Sequence, residues 1–398
     1  MQQPKRVVLK EGREKSLTRR HPWVFSGAIA TTDDGLQPGD TVRVETRSGR
    51  FLAHAAISPA SQIRLRVWSF DESEPIDAGF IDQRLRQAVD LRQSLGLLDA
   101  DGACRLVFSE SDRLPGLIVD RYAEHLVCQF LSTGSQRWRE AIVDSLGRLL
   151  SPRSIYERSD AAARRKEGLP PRRGLLAGSE PAEEVQFDNG SGLSLVDIAT
   201  GQKTGAYLDQ RRNRQRVAAY ARGREVLDAY SYTGAFGIST LRHGASQVML
   251  LDSSEDALRM AQRVAVLNEV AERCELLRGG VPEQLRRLRD AGRQFDLVIL
   301  DPPKFVHSDR QLKSGCRGYK DINMLALGLL RPGGILATFS CSGHVSSDLF
   351  QKVLAGAALD AGREVQILER LGQAPDHPVA LEFPQAEYLK GLILHVTE

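Results

Sequence analysis

Val226-Leu227-Asp228-Ala229-Tyr230-Ser231-Tyr232-Thr233-Gly234-Ala235-Phe236-Gly237 reads as a buried strand, a glycine-bearing turn and the start of a helix. Glycine lets such a turn bring backbone close to a ligand. Two later apolar runs have the same form. Leu297-Val298-Ile299-Leu300 delivers Asp301-Pro302-Pro303-Lys304-Phe305, and Ile335-Leu336-Ala337-Thr338-Phe339 delivers Ser340-Cys341-Ser342. In an open parallel sheet, groups at the carboxyl ends of strands share one crevice. An acid, a thiol and a glycine-bearing turn are therefore expected to face one cleft.

The pattern around these runs predicts a doubly wound α/β domain over residues 186–398, with a mostly parallel sheet. Gln247–Asp252 reads as a strand followed by a helix over 255–268, and Pro332-Gly333-Gly334 turns into the strand at 335. Upstream, residues 1–72 read as a small β-barrel. Their short strands, at 7–10, 40–46, 51–57 and 63–68, are separated by turn residues. Residues 73–185 read as a small central α+β part. It has a helix over 80–91, strands at 104–108, 116–122, 125–130 and 154–157, and a helix over 138–150. Ala161 to Glu184, rich in Arg, Gly, Pro and Glu, reads as a basic loop or linker.

At 398 residues the chain is too long for one ordinary domain. Its N-terminus leads into no apolar signal region and no run approaches membrane-spanning length, so a cytoplasmic protein without a membrane partner is expected. The cysteines, Cys104, Cys128, Cys274, Cys316 and Cys341, are odd in number and include no Cys-x-x-Cys pair. This argues against a disulfide framework and against a metal site. The net charge is only +3, but it is unevenly spread. Basic runs lie within residues 1–20, at Arg164-Arg165-Lys166 with Arg172-Arg173, and at Arg211-Arg212-Asn213-Arg214-Gln215-Arg216. They are either solvated faces or contacts for a phosphate backbone. In Arg19-Arg20-His21-Pro22-Trp23-Val24-Phe25, basic and aromatic residues interleave, which suits phosphate contact and base stacking. Trp23 and Phe25 could equally close the barrel core.

Asp228…Gly234…Gly237 is not the dinucleotide fingerprint Gly-x-Gly-x-x-Gly. Asp252, ending the next strand, could accept hydrogen bonds from a ribose. A cofactor with ribose but no required pyrophosphate suits S-adenosylmethionine. The alternative is that both acids merely cap helices. Asp301 in its stiff proline loop could hydrogen-bond the edge of a planar base while Phe305 stacks on its face. Cys341 is a lone thiol at a strand end, either a small buried hydrophobe or a nucleophile.

These motifs resemble the RlmI-type 23S ribosomal RNA 5-methylcytosine methyltransferases over nearly the whole chain. The resemblance is carried by Tyr156-Glu157-Arg158-Ser159-Asp160, by residues 201–211, by Asp228 to Gly237, by Asp301 to Phe305 and by Ser340-Cys341-Ser342. It implies a PUA-like RNA-binding barrel over 1–72 and S-adenosylmethionine as cofactor. It implies Asp228, Tyr230, Thr233, Gly234, Phe236, Asp252 and Asp301 around that cofactor, with Gln202, Lys203 and Thr204. It implies Cys341 and Asp301 as catalytic residues. RNA contacts fall to Pro302, Pro303, Lys304, Phe305, Arg211, Arg19, Arg20 and Trp23. The partner is 23S ribosomal RNA, naked or in a partly assembled large subunit, and monomer and homodimer both stay open.

Two features depart from related RNA cytosine methyltransferases. Pro303 and Lys304 stand where many carry a second cysteine. Arg278-Gly279-Gly280-Val281, after the third strand, lacks the acid that often binds adenine. Carbon 5 of cytosine is a poor nucleophile, and attack by a Cys341 thiolate on carbon 6 would activate it. Two other functions stay open. One is methylation of an exocyclic amine of adenine or guanine, which needs no Cys341. The other is a non-catalytic RNA-binding factor of ribosome assembly that retains a cofactor fold.

Overall fold

Val226 and Leu227 are fully buried, on opposite faces of the strand Glu225–Ala229, and this burial on both sides is what a central parallel strand requires. The computed structural model describes residues 5–201 and 204–397. They form two compact units. The first holds residues up to 187 with 196–208 and 375–386. The second holds 188–195, 209–374 and the residues from 387 onward.

The second unit is built on a seven-stranded sheet. Its order is Cys274–Arg278, Gln247–Asp252, Glu225–Ala229, Phe295–Leu300, Leu330–Ser340, Lys390–Val396, Val365–Gly372. The first five strands are parallel. Lys390–Val396 runs antiparallel to both of its neighbours, so the sheet is mixed at that edge. Chain order reverses between Glu225–Ala229 and Phe295–Leu300, which makes their carboxyl ends the topological switch point. Alternate residues feed two cores. Leu227, Ala229, Val298 and Leu300 face one, and Val226, Leu297 and Ile299 face the other. Pro332-Gly333-Gly334 does not end a turn before the fifth strand. It lies within Leu330–Ser340, where the pairing register with Phe295–Leu300 slips.

The first unit contains two sheets. A six-stranded sheet takes the order Trp23–Phe25, Ile63–Ser69, Phe51–Ile57, Thr41–Glu45, Arg6–Leu9, Ile29–Thr32. Its alternating apolar residues, among them Val7, Val42, Val44, Ala53, Ala55 and Leu65, enclose one core. A five-stranded sheet takes the order Arg172–Gly178, Ser154–Ser159, His125–Phe130, Leu117–Tyr122, Ala103–Phe108 and packs with helices Ala78–Ser94 and Arg139–Leu150. Ala56 and Trp68, from the first sheet, are buried in the core of the second. The two sheets therefore share apolar surface.

Two expectations change here. Ala161 to Glu184 is not simply a linker. Ala162–Lys166 is a short helix, and Arg172–Gly178 is an edge strand paired with Ser154–Ser159. Its charged, exposed start hid it, although edge strands commonly carry charge. Nor are the basic runs simply surface. The Arg164 guanidinium is buried and donates to Phe130 O and to Gln136 Oε1 (2.6 Å). Arg214 is buried and donates to Asn189 O, while Arg216 pairs with Glu369 at 2.8 Å. Among the described residues, no helix is long and apolar enough to cross a membrane.

Candidate active site

Three carboxylates collect at the switch point. Asp228 pairs in register with Leu250 and Ile299 of the flanking strands, so Asp252 and Asp301 end the strands on either side. Asp228 is 1% exposed, and Gly237 N–H donates to its Oδ2 at 2.8 Å. The helix Ala235–Arg242 approaches the sheet closely at this point. A Cβ on Gly237 would stand 2.4 Å from Leu250 Cδ2 and 2.8 Å from Val248 Cγ1. Burial pushes the Asp228 carboxyl up to about 8. The Gly237 N–H opposes that rise, and the charges of Asp301 and Asp252 add to it.

The intervening turn is unusual in its backbone. Tyr230, Tyr232 and Gly234 all have φ in the left-handed region, at 64°, 50° and 77°. Glycine adopts this freely, but two tyrosines do so only when their surroundings impose it. Here Ser231 N–H donates to Leu251 O (3.1 Å), and Tyr232 N–H donates to Asp252 Oδ2 (2.9 Å). Asp252 Oδ1 also accepts Ser254 N–H at 2.9 Å. Ser231 Oγ is buried in this turn with no hydrogen-bond partner. Thr233 is half-buried. Phe236 points into the core, its ring 5.3 Å from that of Phe339.

The proline loop and the thiol are tied together. Pro302 is buried, while Pro303 and Lys304 are exposed. Phe305 is half-buried, with its ring 4.7 Å from Tyr319 and 6.5 Å from Tyr230. Cys341 is half-buried just past the end of its strand. Next to it, the buried Ser342 hydroxyl accepts Val306 N–H (3.3 Å) and bonds the Tyr319 hydroxyl (3.0 Å). One side chain thus connects the thiol loop, the residue after Phe305 and the helix Leu312–Gly328. Burial pushes the Tyr319 hydroxyl up, with the nearby Cys341 adding to this and hydrogen bonds to Ser340 and Ser342 opposing it.

The other cysteines differ. Cys104 and Cys128 are fully buried, and burial pushes the Cys104 thiol up to about 12 and the Cys128 thiol higher still. Burial raises the Cys274 thiol to about 11. Low-reactivity thiols are expected at such sites.

Residues 174–394 match the family described as S-adenosylmethionine-dependent methyltransferase, and residues 7–70 match a PUA-like domain. The chain belongs to the S-adenosylmethionine-dependent methyltransferase family. It is 48% identical to the "Ribosomal RNA large subunit methyltransferase I" of Cronobacter sakazakii over 392 residues, covering 98% of this chain and 99% of that one. It is 50% identical to the protein of the same name from Tolumonas auensis, covering 98% of each. Its fold is similar to that of a Streptococcus mutans protein described as a SAM-dependent methyltransferase, with TM-score 0.83 at 19% identity, covering 98% of this chain and all of that one.

The switch point of this methyltransferase fits its cofactor. S-adenosylmethionine carries a sulfonium and an ammonium; Asp252 and Asp301, on either side of an Asp228 carboxyl that burial keeps largely protonated at neutral pH, provide a field that favours cations. Ser231 Oγ offers a buried polar atom. Both Asp252 oxygens already accept backbone N–H groups, a role in shaping the turn that the sequence did not indicate.

The other expected site residues fall in both units, and two lie outside the described residues. Gln202 and Lys203 lie outside them. Thr204 is buried, with its hydroxyl bonded to Asp120 and 3.3 Å from the Tyr122 hydroxyl. In the Tyr156–Asp160 motif, the buried Arg158 donates to Ile198 O and Gly201 O, both at 2.7 Å. Arg211 begins the helix Arg211–Ala218 of the second unit. Arg19 and Arg20 are exposed. Trp23 is half-buried, donating Nε1–H to Glu110 (2.7 Å) with its ring 4.7 Å from Phe383. Phe25, at 52% exposed, is the freer aromatic. Sequence reasoning named Ser342 only as part of the Ser340-Cys341-Ser342 motif, without its bridging role, and missed Tyr319 and Lys390. Only Lys390 left a signal, a lone lysine at the head of the apolar run Gly391-Leu392-Ile393-Leu394.

The raised Asp228 carboxyl has a measurable consequence. Its folded value lies above its ordinary one, so the folded state binds an extra proton between about pH 4 and 8. Its contribution is full below pH 4 and is lost as pH rises to about 8. Without cofactor, wild-type stability is expected to fall across that window by up to about 1.4 kcal/mol per pH unit. Asp228→Asn should flatten the dependence. Chemical denaturation of both proteins at pH 5 and pH 8 checks this, and parallel pH profiles would contradict it.

Proposed function

We propose that this methyltransferase transfers a methyl group to carbon 5 of a cytosine in large-subunit ribosomal RNA, using Cys341 as a covalent nucleophile. The observation that carries this reading is the bridge through Ser342, which ties the Cys341 loop to the segment following Asp301–Phe305. A thiol and an acid-bearing loop braced against each other suit one flipped base. The relatives' names support ribosomal RNA as substrate.

Bound S-adenosylmethionine supplies an electrophilic methyl group. The acids at the switch point and the turn at Tyr230–Gly234 would hold it, with Tyr230, Thr233 and Asp252 lining that turn. The chain's own residues handle the base. Cys341 Sγ attacks carbon 6, the ring loses aromaticity and electron density moves to carbon 5. Asp301 hydrogen-bonds the base edge and offsets charge as it develops. Lys304 is exposed for phosphate contact, and half-buried Phe305 offers a ring beside the base. After carbon 5 is methylated it loses its proton to a base, the ring electrons return, and the carbon–sulfur bond breaks to release Cys341. We read the chain in three parts: barrel 1–72, central part 73–185 and methyltransferase 186–398. In this reading the barrel guides RNA through Arg19, Arg20 and the exposed Phe25.

Cys341→Ala is expected to abolish methylation while cofactor affinity stays unchanged, because this mechanism assigns the sulfur to the base and not to the cofactor. In the wild type, RNA with 5-fluorocytosine at the target should form an adduct that survives denaturation, since fluorine cannot leave as a cation. A Cys341→Ala enzyme with near wild-type activity would refute the nucleophile.

Ala56 and Trp68 belong to the barrel but fill the core of the second sheet, so deleting the barrel would open that core, and its role is better tested by charge. Arg19→Glu with Arg20→Glu should weaken RNA binding and lower the salt slope by about 0.7–0.9 for each phosphate no longer neutralised. Cofactor affinity should not change. Equal RNA affinity and equal slope would contradict the barrel's role.

A further inference from the structure

A lysine is buried against the turn that follows the thiol. Lys390 heads the strand Lys390–Val396, and its cross-strand partner is Ser340, the residue before Cys341. It is 8% exposed. Its ammonium donates to Ser342 O and Val345 O, each at 2.7 Å. Ser342 O also accepts Val345 N–H at 3.0 Å, so the ammonium closes the turn that follows the thiol.

These two contacts hold the ammonium but do not neutralise it. Carbonyl oxygens carry only partial charge, and a buried cation is costly unless an anion compensates it. The titratable groups that act on Lys390 are Cys341, Glu387 and Lys304, and Tyr319 acts on Cys341 from the helix Leu312–Gly328. Cys341 and Glu387 are the groups there that can carry negative charge, and Cys341 directly follows Ser340, the cross-strand partner of Lys390. A cation beside a thiol favours the thiolate, the form that attacks carbon. Neutral Ser340 and Ser342 flank Cys341 in sequence and supply no such charge.

We propose that Lys390 is a positioning residue, whose ammonium fixes the turn after Cys341 and favours its thiolate. The proposal rests on Cys341 being the nucleophile. The Cys341 proton passes to solvent, and Lys390 keeps its own. Burial pulls the Lys390 ammonium down to about 8, with Cys341 and Glu387 opposing and Lys304 adding to the fall. The cation is therefore present at neutral pH and fades above about pH 8.

The test is the pH profile of Cys341 alkylation by iodoacetamide, followed by peptide mass in the full-length protein. Lys390→Gln keeps N–H donors for the carbonyls but removes the charge, and Lys390→Arg keeps the charge. For Lys390→Gln the profile should move to higher pH, with alkylation at pH 7 about tenfold slower than in the wild type. For Lys390→Arg it should stay near the wild-type position. A Lys390→Gln profile that superimposes on the wild type overturns the proposal. If Lys390→Gln no longer binds S-adenosylmethionine, the arginine variant decides, and a large upward shift in it overturns the proposal. A wild-type adduct with 5-fluorocytosine RNA, together with superimposed profiles, rejects Lys390 alone. Shifted profiles with no adduct reject the nucleophile and leave the charge coupling standing.

Discussion

The hydrogen bond from Gly237 N–H to the buried Asp228 carboxyl ties the end of the central strand to the first turn of its helix. It forms at this distance because Gly237 has no Cβ to meet Leu250 and Val248. The turn between them, from Tyr230 to Gly234, must then take up left-handed backbone at three positions. Asp252 holds the turn from the neighbouring strand through Tyr232 N–H. One close helix–strand contact therefore fixes a carboxyl, a strained turn and a second carboxylate together. Burying Asp228 costs stability as pH rises, because the carboxyl must then take on charge beside Asp252 and Asp301.

The reacting side is built separately, from loops on the next two strands. Ser342 has no proposed chemistry of its own, yet it joins Val306, Tyr319 and the backbone beside Cys341. Lys390 closes the same turn from an antiparallel strand. That strand is where the sheet departs from simple parallel winding, and the departure places a lysine against the turn that follows the thiol. In the proposed reading, the cofactor side uses the parallel half of the sheet and the covalent chemistry its mixed edge.

Much of the fold was legible because burial leaves a pattern. Val226–Ala229, Gln247–Asp252 and Leu297–Leu300 are apolar enough to read as central strands. Arg172–Gly178 was not, since its charged start resembles a linker until its pairing is seen. Basic runs were counted as surface, but Arg164 and Arg214 are buried, held by carbonyls whose positions depend on the fold. The acids at the strand ends could be named from sequence because the strand ends could. The roles of Tyr319, Ser342 and Lys390 could not, because their contacts join segments far apart in the chain. The hydrogen bonds of Asp252 to Tyr232 and Ser254 likewise depend on a turn geometry that residue types alone do not specify.

The central claim is that a thiol-bearing loop next to an acid-bearing loop directs methyl transfer to a ring carbon rather than to an exocyclic amine. The most direct measurement is the identity of the methylated nucleoside. Deproteinised large-subunit ribosomal RNA is incubated with the purified protein and S-adenosylmethionine, digested to nucleosides and resolved by mass spectrometry. The account predicts 5-methylcytidine. Methyl groups found instead on an amino group of adenosine or guanosine would contradict it.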